Sequence, residues 1–306
     1  MGVSNDFRYS PSRFLPYRDA AVCARVRAIK KEELCRHPNA NFKMSVVEDL
    51  SELYLDYALD MIAEIQKSLE EGRRLVLLLP ARVSPYAPAL INALRIPMRH
   101  VHTFNMDEYA DEDGNSAPAS WPGSYQRLIR ETFFNRIDEE LRPPADQIHF
   151  PSKQNINDYG RMIEDLGGID VCYGQVGWNG HLAYFEPELG EEFGDDLEAF
   201  KKAGPCIVEI SLMTVMQNSL LFARCGDWAW HPPKAVTIGP AQVVGSKRNS
   251  WRQWGYIGKG ISWQRFIVRL VAHGPVTPLV PATILQTLDT DFKILGAVAE
   301  NCESPV

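Results

Sequence analysis

Tyr173-Gly174-Gln175-Val176-Gly177-Trp178-Asn179-Gly180-His181-Leu182-Ala183-Tyr184-Phe185-Glu186-Pro187 is the stretch on which the fold turns. The apolar run that leads into it, Ile169 to Tyr173, has the composition of a strand buried on both faces. Three glycines follow at the strand end, then a histidine, then a carboxylate five residues on. Glycine lets backbone N–H groups come close to a ligand. In open α/β sheets, ligands sit at the carboxyl ends of strands. His181 and Glu186 are therefore acid/base candidates.

A second stretch has the same build. His102-Thr103-Phe104-Asn105-Met106-Asp107-Glu108-Tyr109 is an apolar strand that ends in ionisable residues. Two adjacent carboxylates at a strand end point to tuned ionisation. Blander alternatives stand beside each residue. His181 reads equally as a structural histidine bound to backbone, Glu186 as a solvated loop carboxylate, and Asp107 as a helix cap. The two stretches meet only if their strands are neighbours, which the sequence leaves open.

On either side, helix and strand patterns alternate, as expected of a parallel sheet with right-handed crossovers. The expected fold is α/β, a Rossmann-like, open, mostly parallel sheet flanked by helices. Residues 1–41 read as an irregular N-terminal arm with a short helix near Ala20 to Arg36, and residues 42–306 as a single domain. Ser45 to Glu71 reads as an amphipathic helix, with Ser45 as N-cap, Glu48 at capping-box spacing and Gly72 as C-cap. Leu75 to Leu79 is a buried strand, and Ser84 caps a helix through Leu94. Ala110 to Pro122 reads as a loop, a candidate lid, and Ser124 to Phe134 as a helix. Glu188 to Glu198 is an acidic, solvated loop, and Val215 to Phe222 a helix. Lys234 to Ile238, Trp254 to Ile257 and Asp291 to Leu295 are the later strands, with a helix over Trp263 to His273.

Composition narrows the function. The chain has 306 residues, 45% hydrophobic and 23% charged, as in ordinary globular proteins. Its net charge is -7 and its basic residues are scattered, which argues against nucleic acid or an anionic membrane as partner. No apolar run approaches the ~20 residues of a membrane helix. Met1 to Asp19 is too polar for a secretory signal, so the chain is read as cytoplasmic. Six cysteines without a C-x-x-C pair make no zinc ribbon or disulfide framework. No H-E-x-x-H and no G-x-x-x-x-G-K-[ST] occurs, and glycines at every third position are not the dinucleotide fingerprint. Neither metal nor cofactor is expected. The tryptophans are by default core or subunit contacts, with stacking on a sugar ring the minority reading.

With both stretches in view, the chain resembles the glucosamine-6-phosphate deaminase (isomerase) family, whose superfamily includes 6-phosphogluconolactonase. The match to F-N-M-D-E-Y is literal at Phe104 to Tyr109, and G-x-D-G-H-I-A-F-N-E-P is matched at Gly177 to Pro187. Val236 to Gly239 is a weaker match to a later strand and turn. The resemblance spans roughly Ser45 to Leu295. It implies interconversion of an amino-sugar aldose and ketose. Asp107 would move a proton between carbons 1 and 2. His181 would open the ring with help from Glu186, and Asn179 would orient His181. Gly177, Gly180, Glu108, Arg82 and Ser84 would bind a small-molecule sugar, and a homo-oligomer is expected. Three departures stand out. The aspartate before G-H is Asn179. The phosphate loop P-T-G-G-T-P is Pro80-Ala81-Arg82-Val83-Ser84-Pro85, without glycines to cradle a phosphate. The arginine that precedes A-N-S has no counterpart before Gln217-Asn218-Ser219. The proton-transfer set is kept while the phosphate set is lost, which implies a changed substrate. The alternatives are a sugar lactone hydrolase and a non-catalytic sugar-binding or regulatory homologue.

Overall fold

Leu75–Leu79 is wholly buried, as expected of an interior strand covered on both faces. A computed structural model describes residues 9–221 and 225–302. In chain order the strands are β1 (Phe42–Val47), β2 (Leu75–Leu79), β3 (Val101–Asn105), β4 (Asp107–Ala110), β5 (Ile148–His149) and β6 (Val171–Gly174). Then come β7 (Cys206–Glu209), β8 (Lys234–Thr237), β9 (Arg248–Gln253), β10 (Tyr256–Gly258), β11 (Ile261–Ser262) and β12 (Thr290–Leu295). Seven of them build one parallel sheet in the order β1-β12-β9-β6-β2-β3-β5. A second sheet, antiparallel, has the order β4-β8-β7. Chain progress from β2 goes one way to β3 and β5, then returns to β6 on the other side. That reversal opens a crevice at the carboxyl ends of β2 and β6, where such sheets bind ligands.

Helices cover both faces of the large sheet. Leu50–Glu70 and Ala87–Ala93 pack on one side, and Ile156–Glu164, Pro240–Val244 and Arg265–His273 on the other. No helix among the described residues is long and apolar enough to cross a membrane. Residues 20–41, read above as an arm outside the domain, bury Val26 and Leu34 in the main core. The helix Ala20–Arg27 is capped by Asp19 and docks through Arg25, which donates to the His273 carbonyl.

Several expectations are corrected. The helix expected from Ser45 starts at Leu50, capped by Asp49, whose side chain accepts from the Ser51 and Glu52 N–H groups. Ser45 lies in edge strand β1, opposite Lys293. The β-branched end of Phe42–Val47 and the better cap at Asp49 decide this. The acidic stretch after Glu186 is largely exposed, as expected, but it holds two short helices, Pro187–Gly190 and Leu197–Lys201. The helix expected over Val215 to Phe222 spans Leu212–Leu221, and Phe222 lies outside the described residues.

One central strand, β9, was not expected at all. Arg-Asn-Ser-Trp-Arg-Gln has no apolar run, yet five of its six residues are buried. Its alternate residues Arg248, Ser250 and Arg252 meet acids on the helix Leu50–Glu70. Arg248 forks onto Asp60 at 3.0 Å on each branch, Ser250 donates to Asp60, and Arg252 lies 3.0 Å from Asp56. Burial works to raise the Asp60 carboxyl, but Arg248 outweighs it and holds the group below its usual range. Asp56, Asp60 and Glu64 recur every fourth residue, so they share a helix face. Trp251 points the other way into the core, where it fills the space that a side chain at Gly174 would need.

Arg252 is fully buried, whereas its acidic partners reach water. Arg252→Ala should therefore cost about 2–4 kcal/mol in urea denaturation, at or below the range for a wholly buried pair. Arg252→Met, which keeps the volume, should cost less than Arg252→Ala.

Candidate active site

The site begins at a change of sheets. Met106 follows β3, and its N–H donates to the Leu79 carbonyl of β2 at 3.0 Å. Its own carbonyl accepts from Ile238 N–H, just past β8, at 2.8 Å. The chain therefore leaves the parallel sheet and enters the antiparallel one at a single residue. Asp107, opposite Thr237 in β4-β8 pairing, emerges at that seam. Asp107 lines a cleft that opens at this seam. Pro80, Ala81 and Arg82 after β2 and Gln175, Val176 and Gly177 after β6 line the same cleft, as does His181. The acid and the imidazole, 74 residues apart in the chain, thus share one cavity.

Asp107 is 8% exposed, and no hydrogen bond to its carboxylate is found among the described residues. Burial first, then the charge of Glu108, push its pKa up to about 7, with His181 pulling the other way. A carboxylate so placed can take a proton and return it near neutrality.

His181 is held from behind. Its Nδ1 lies 3.1 Å from Glu186 Oε2 and 3.1 Å from Thr214 Oγ1. A carboxylate only accepts, so the Nδ1 proton is directed to it and the neutral ring has Nε2 free to act as base. Nε2 lies against Gly177, where a Cβ would come within 2.0 Å of it. The ring fits only because residue 177 has no side chain. Gly180, at φ +83°, shapes the turn that returns the chain, and its carbonyl accepts from Ala282 N–H. Tyr184 N–H donates to Thr237 Oγ1 at 3.0 Å, which ties this loop to β8.

Asn179 makes no hydrogen bond to the imidazole ring itself and acts on His181 through its main chain and Glu186. Its Nδ2 donates to Glu186 Oε2 at 2.7 Å, and its Oδ1 accepts from the His181 main-chain N–H. It positions Glu186, whose Oε1 also accepts from Ser211 N–H at 3.3 Å. Three expected sugar contacts, Glu108, Ser84 and Gly180, lie elsewhere. Glu108 accepts four hydrogen bonds, from the N–H groups of Tyr109, Tyr125 and Gln126 and from Ser124 Oγ. It tethers the start of the helix Tyr125–Thr132, and its oxygens are used up there. Ser84 is buried, donates to the Tyr54 carbonyl and accepts from Tyr86 N–H. Neither lines the cleft, nor does Gly180, nor does any residue of the loop expected as a lid. That loop is instead closed on itself by Asp111, which accepts from the N–H groups of Asp113 and Asn115.

Other participants escaped the sequence reading. Thr214 lies on the helix Leu212–Leu221 and donates to Glu186 Oε2 at 3.1 Å. Tyr125, Tyr184, Gln217, Asn218 and Trp263 line the cleft. Gln217 Oε1 accepts from Trp178 N–H at 2.6 Å and so braces the glycine loop. No local signal marks Thr214; only the packing of its helix on the loop brings it in.

The folded protein holds the Asp107 proton more tightly than the unfolded chain does. That contribution to stability is present below about pH 4 and is lost as pH rises through about 7. Thermal melts of Asp107→Asn should therefore lie close to those of the native protein at about pH 4, and above them at about pH 8.

No family model matches the chain. It is 31% identical over 209 residues to glucosamine-6-phosphate deaminase 2 of Bacillus subtilis, covering 65% of this chain and 74% of that one. It is 28% identical over 214 residues to the glucosamine-6-phosphate deaminase of Caenorhabditis elegans, covering 66% and 72%. Among solved structures, a monomeric glucosamine-6-phosphate deaminase superposes with a TM-score of 0.69 at 21% identity, covering 84% of this chain and 99% of that one. The 6-phosphogluconolactonase of Thermotoga maritima superposes with a TM-score of 0.57 at 17% identity, covering 82% and 98%. These two share the fold: a parallel sheet flanked by helices. With a literal motif match at one strand end, a near match at the other and this degree of identity to a named relative, the chain belongs to the glucosamine-6-phosphate deaminase family.

Proposed function

We propose that this enzyme isomerises and deaminates an amino sugar through Asp107 and His181. The observation that carries the reading is an unpartnered, buried carboxylate with a pKa near neutrality, in the same cleft as a carboxylate-backed imidazole. His181 Nε2 takes the proton of the anomeric hydroxyl and returns one to the ring oxygen, which opens the ring to the aldehyde. Glu186 steadies the imidazolium formed on the way, and Asn179 and Thr214 hold Glu186 in place. Asp107 then removes the hydrogen at carbon 2, leaving an enolamine, and delivers that proton to carbon 1. Water adds to the resulting imine at carbon 2 and ammonia leaves, giving the ketose. Each positioned acid or base contributes typically ~10²–10⁴-fold.

The substrate we assign is an amino sugar without a phosphate. Among the described residues that line the cleft, Arg82 is the only lysine or arginine. The loop that carries it, Ala81-Arg82-Val83, offers no glycine for a backbone cradle. A second reading, lactone hydrolysis, needs only His181 and Glu186 to activate water and leaves Asp107 without work. The raised, unpartnered Asp107 favours the first.

In deuterated buffer, deuterium should enter carbon 2 of glucosamine when the enzyme is present. Asp107→Asn should lower that exchange and kcat by ~10²–10⁴-fold while the Kd for the sugar stays within a few-fold. Loss of neither exchange nor turnover in Asp107→Asn, with acid release from a sugar lactone in a pH-stat, would instead select the hydrolase. A strong preference for the 6-phosphate over the free sugar would defeat the substrate assignment alone.

A further inference from the structure

One wall of the cleft is a cluster of hydroxyls. Tyr125, Tyr184 and Asn218 all line it, and Tyr109 lies buried behind them. The phenol oxygens of Tyr184 and Tyr125 are 2.7 Å apart. Tyr125 OH donates to Tyr109 OH at 3.2 Å, and Tyr109 OH lies 3.3 Å from His231 Nδ1. Asn218 Nδ2 donates to Tyr184 OH at 2.8 Å and to Tyr109 OH at 2.9 Å. Asn218 Oδ1 accepts from Gln217 Nε2, so the amide is oriented with its hydrogens towards the phenols.

Each phenol owns one proton. That of Tyr125 goes to Tyr109, so the short contact between Tyr125 and Tyr184 is made by the Tyr184 proton. Tyr109 already accepts from Tyr125 and Asn218, so its own proton goes to His231 Nδ1. Burial holds the His231 imidazole below its usual range, which keeps a bare ring nitrogen available as that acceptor. The three phenol protons are thus spent within the cluster and on His231. Tyr184 is left with an oxygen that can accept from a ligand and has no proton to offer it. The family motif quoted above has phenylalanine at this position, so the hydroxyl belongs to this chain.

We propose, on the strength of the amino-sugar reading, that Tyr184 determines specificity by accepting a hydrogen bond from a neutral hydroxyl or N–H of the substrate and by turning away phosphate and carboxylate groups. Ionised phosphate and carboxylate only accept, so facing the Tyr184 oxygen they would be desolvated without a donor. A hydroxyl or amine meets no such penalty. A substrate hydroxyl adds a hydrogen bond to the Tyr184 oxygen, which an analogue that lacks it forgoes.

The test is direct binding by titration calorimetry, with glucosamine, its 3-, 4- and 6-deoxy analogues and glucosamine 6-phosphate as probes. The native protein should bind glucosamine about tenfold or more tightly than one of the deoxy analogues and than the 6-phosphate. Tyr184→Phe should weaken glucosamine about tenfold and leave that deoxy analogue unchanged, so that the gap closes. Tyr109→Phe lies behind the wall and frees the Tyr125 proton to turn towards Tyr184. Tyr184 can then offer its own proton to the cleft, and the gap between glucosamine and its 6-phosphate should narrow. Circular dichroism melts of both variants verify the fold. The proposal is overturned if Tyr184→Phe weakens all five probes alike, if the deoxy gap survives it, or if the native protein binds none of them or prefers the 6-phosphate. Exchange at carbon 2 is read separately. Exchange without a deoxy gap removes this proposal and keeps the proposed function, whereas a gap without exchange does the reverse.

Discussion

Two backbone hydrogen bonds at Met106 govern the geometry of the site. One is the last rung between β2 and the β3 side of the parallel sheet, and the other is the first rung of the antiparallel sheet. A residue that bonds left with its N–H and right with its carbonyl fixes the direction in which the chain leaves. The next side chain, Asp107, is placed by main-chain bonding and needs no partner of its own. That is why its carboxylate can be buried and unpaired at once, a state that is costly in a protein interior unless the surrounding structure enforces it.

The molecule treats its carboxylates in contrasting ways. Asp56 and Asp60 face guanidinium groups between a helix and a central strand, and their charge is balanced where it stands. Asp107 faces a void and a neighbouring negative charge. The first arrangement holds β9 in the sheet, and the second stores a readily moved proton. Glu186 is a third case: an acid surrounded by an amide, a hydroxyl and an imidazole, so that its orientation is settled before any ligand enters.

Strands of the large sheet were legible where burial on both faces demanded apolar runs, as in Leu75–Leu79 and the approach to Gly174. Where the buried face was salted with arginine, as in β9, hydropathy was silent. The signal was there in another form: acids every fourth residue from Asp56 to Glu64, answered by Arg248 and Arg252 four residues apart on one face of a strand. Of the site, the residues on the two strand-end motifs were visible because glycine, histidine and carboxylate are unusual company. Glu108 and Ser84 misled, since a carboxylate or hydroxyl beside a ligand loop can equally well spend its hydrogen bonds on the backbone. Thr214 and Tyr125 come from segments with no local mark; Tyr109 and Tyr184 lie on the two motifs, but only tertiary packing brings their hydroxyls together.

Gly177 has a wider consequence. With the imidazole nitrogen seated where a methyl group would go, that floor of the cleft is closed to sequence change. The facing residues are held by hydrogen bonds instead, Gln217 to Trp178 N–H and Tyr184 to Asn218. A change at either would loosen a loop or a wall, whereas a side chain at residue 177 would evict the imidazole itself.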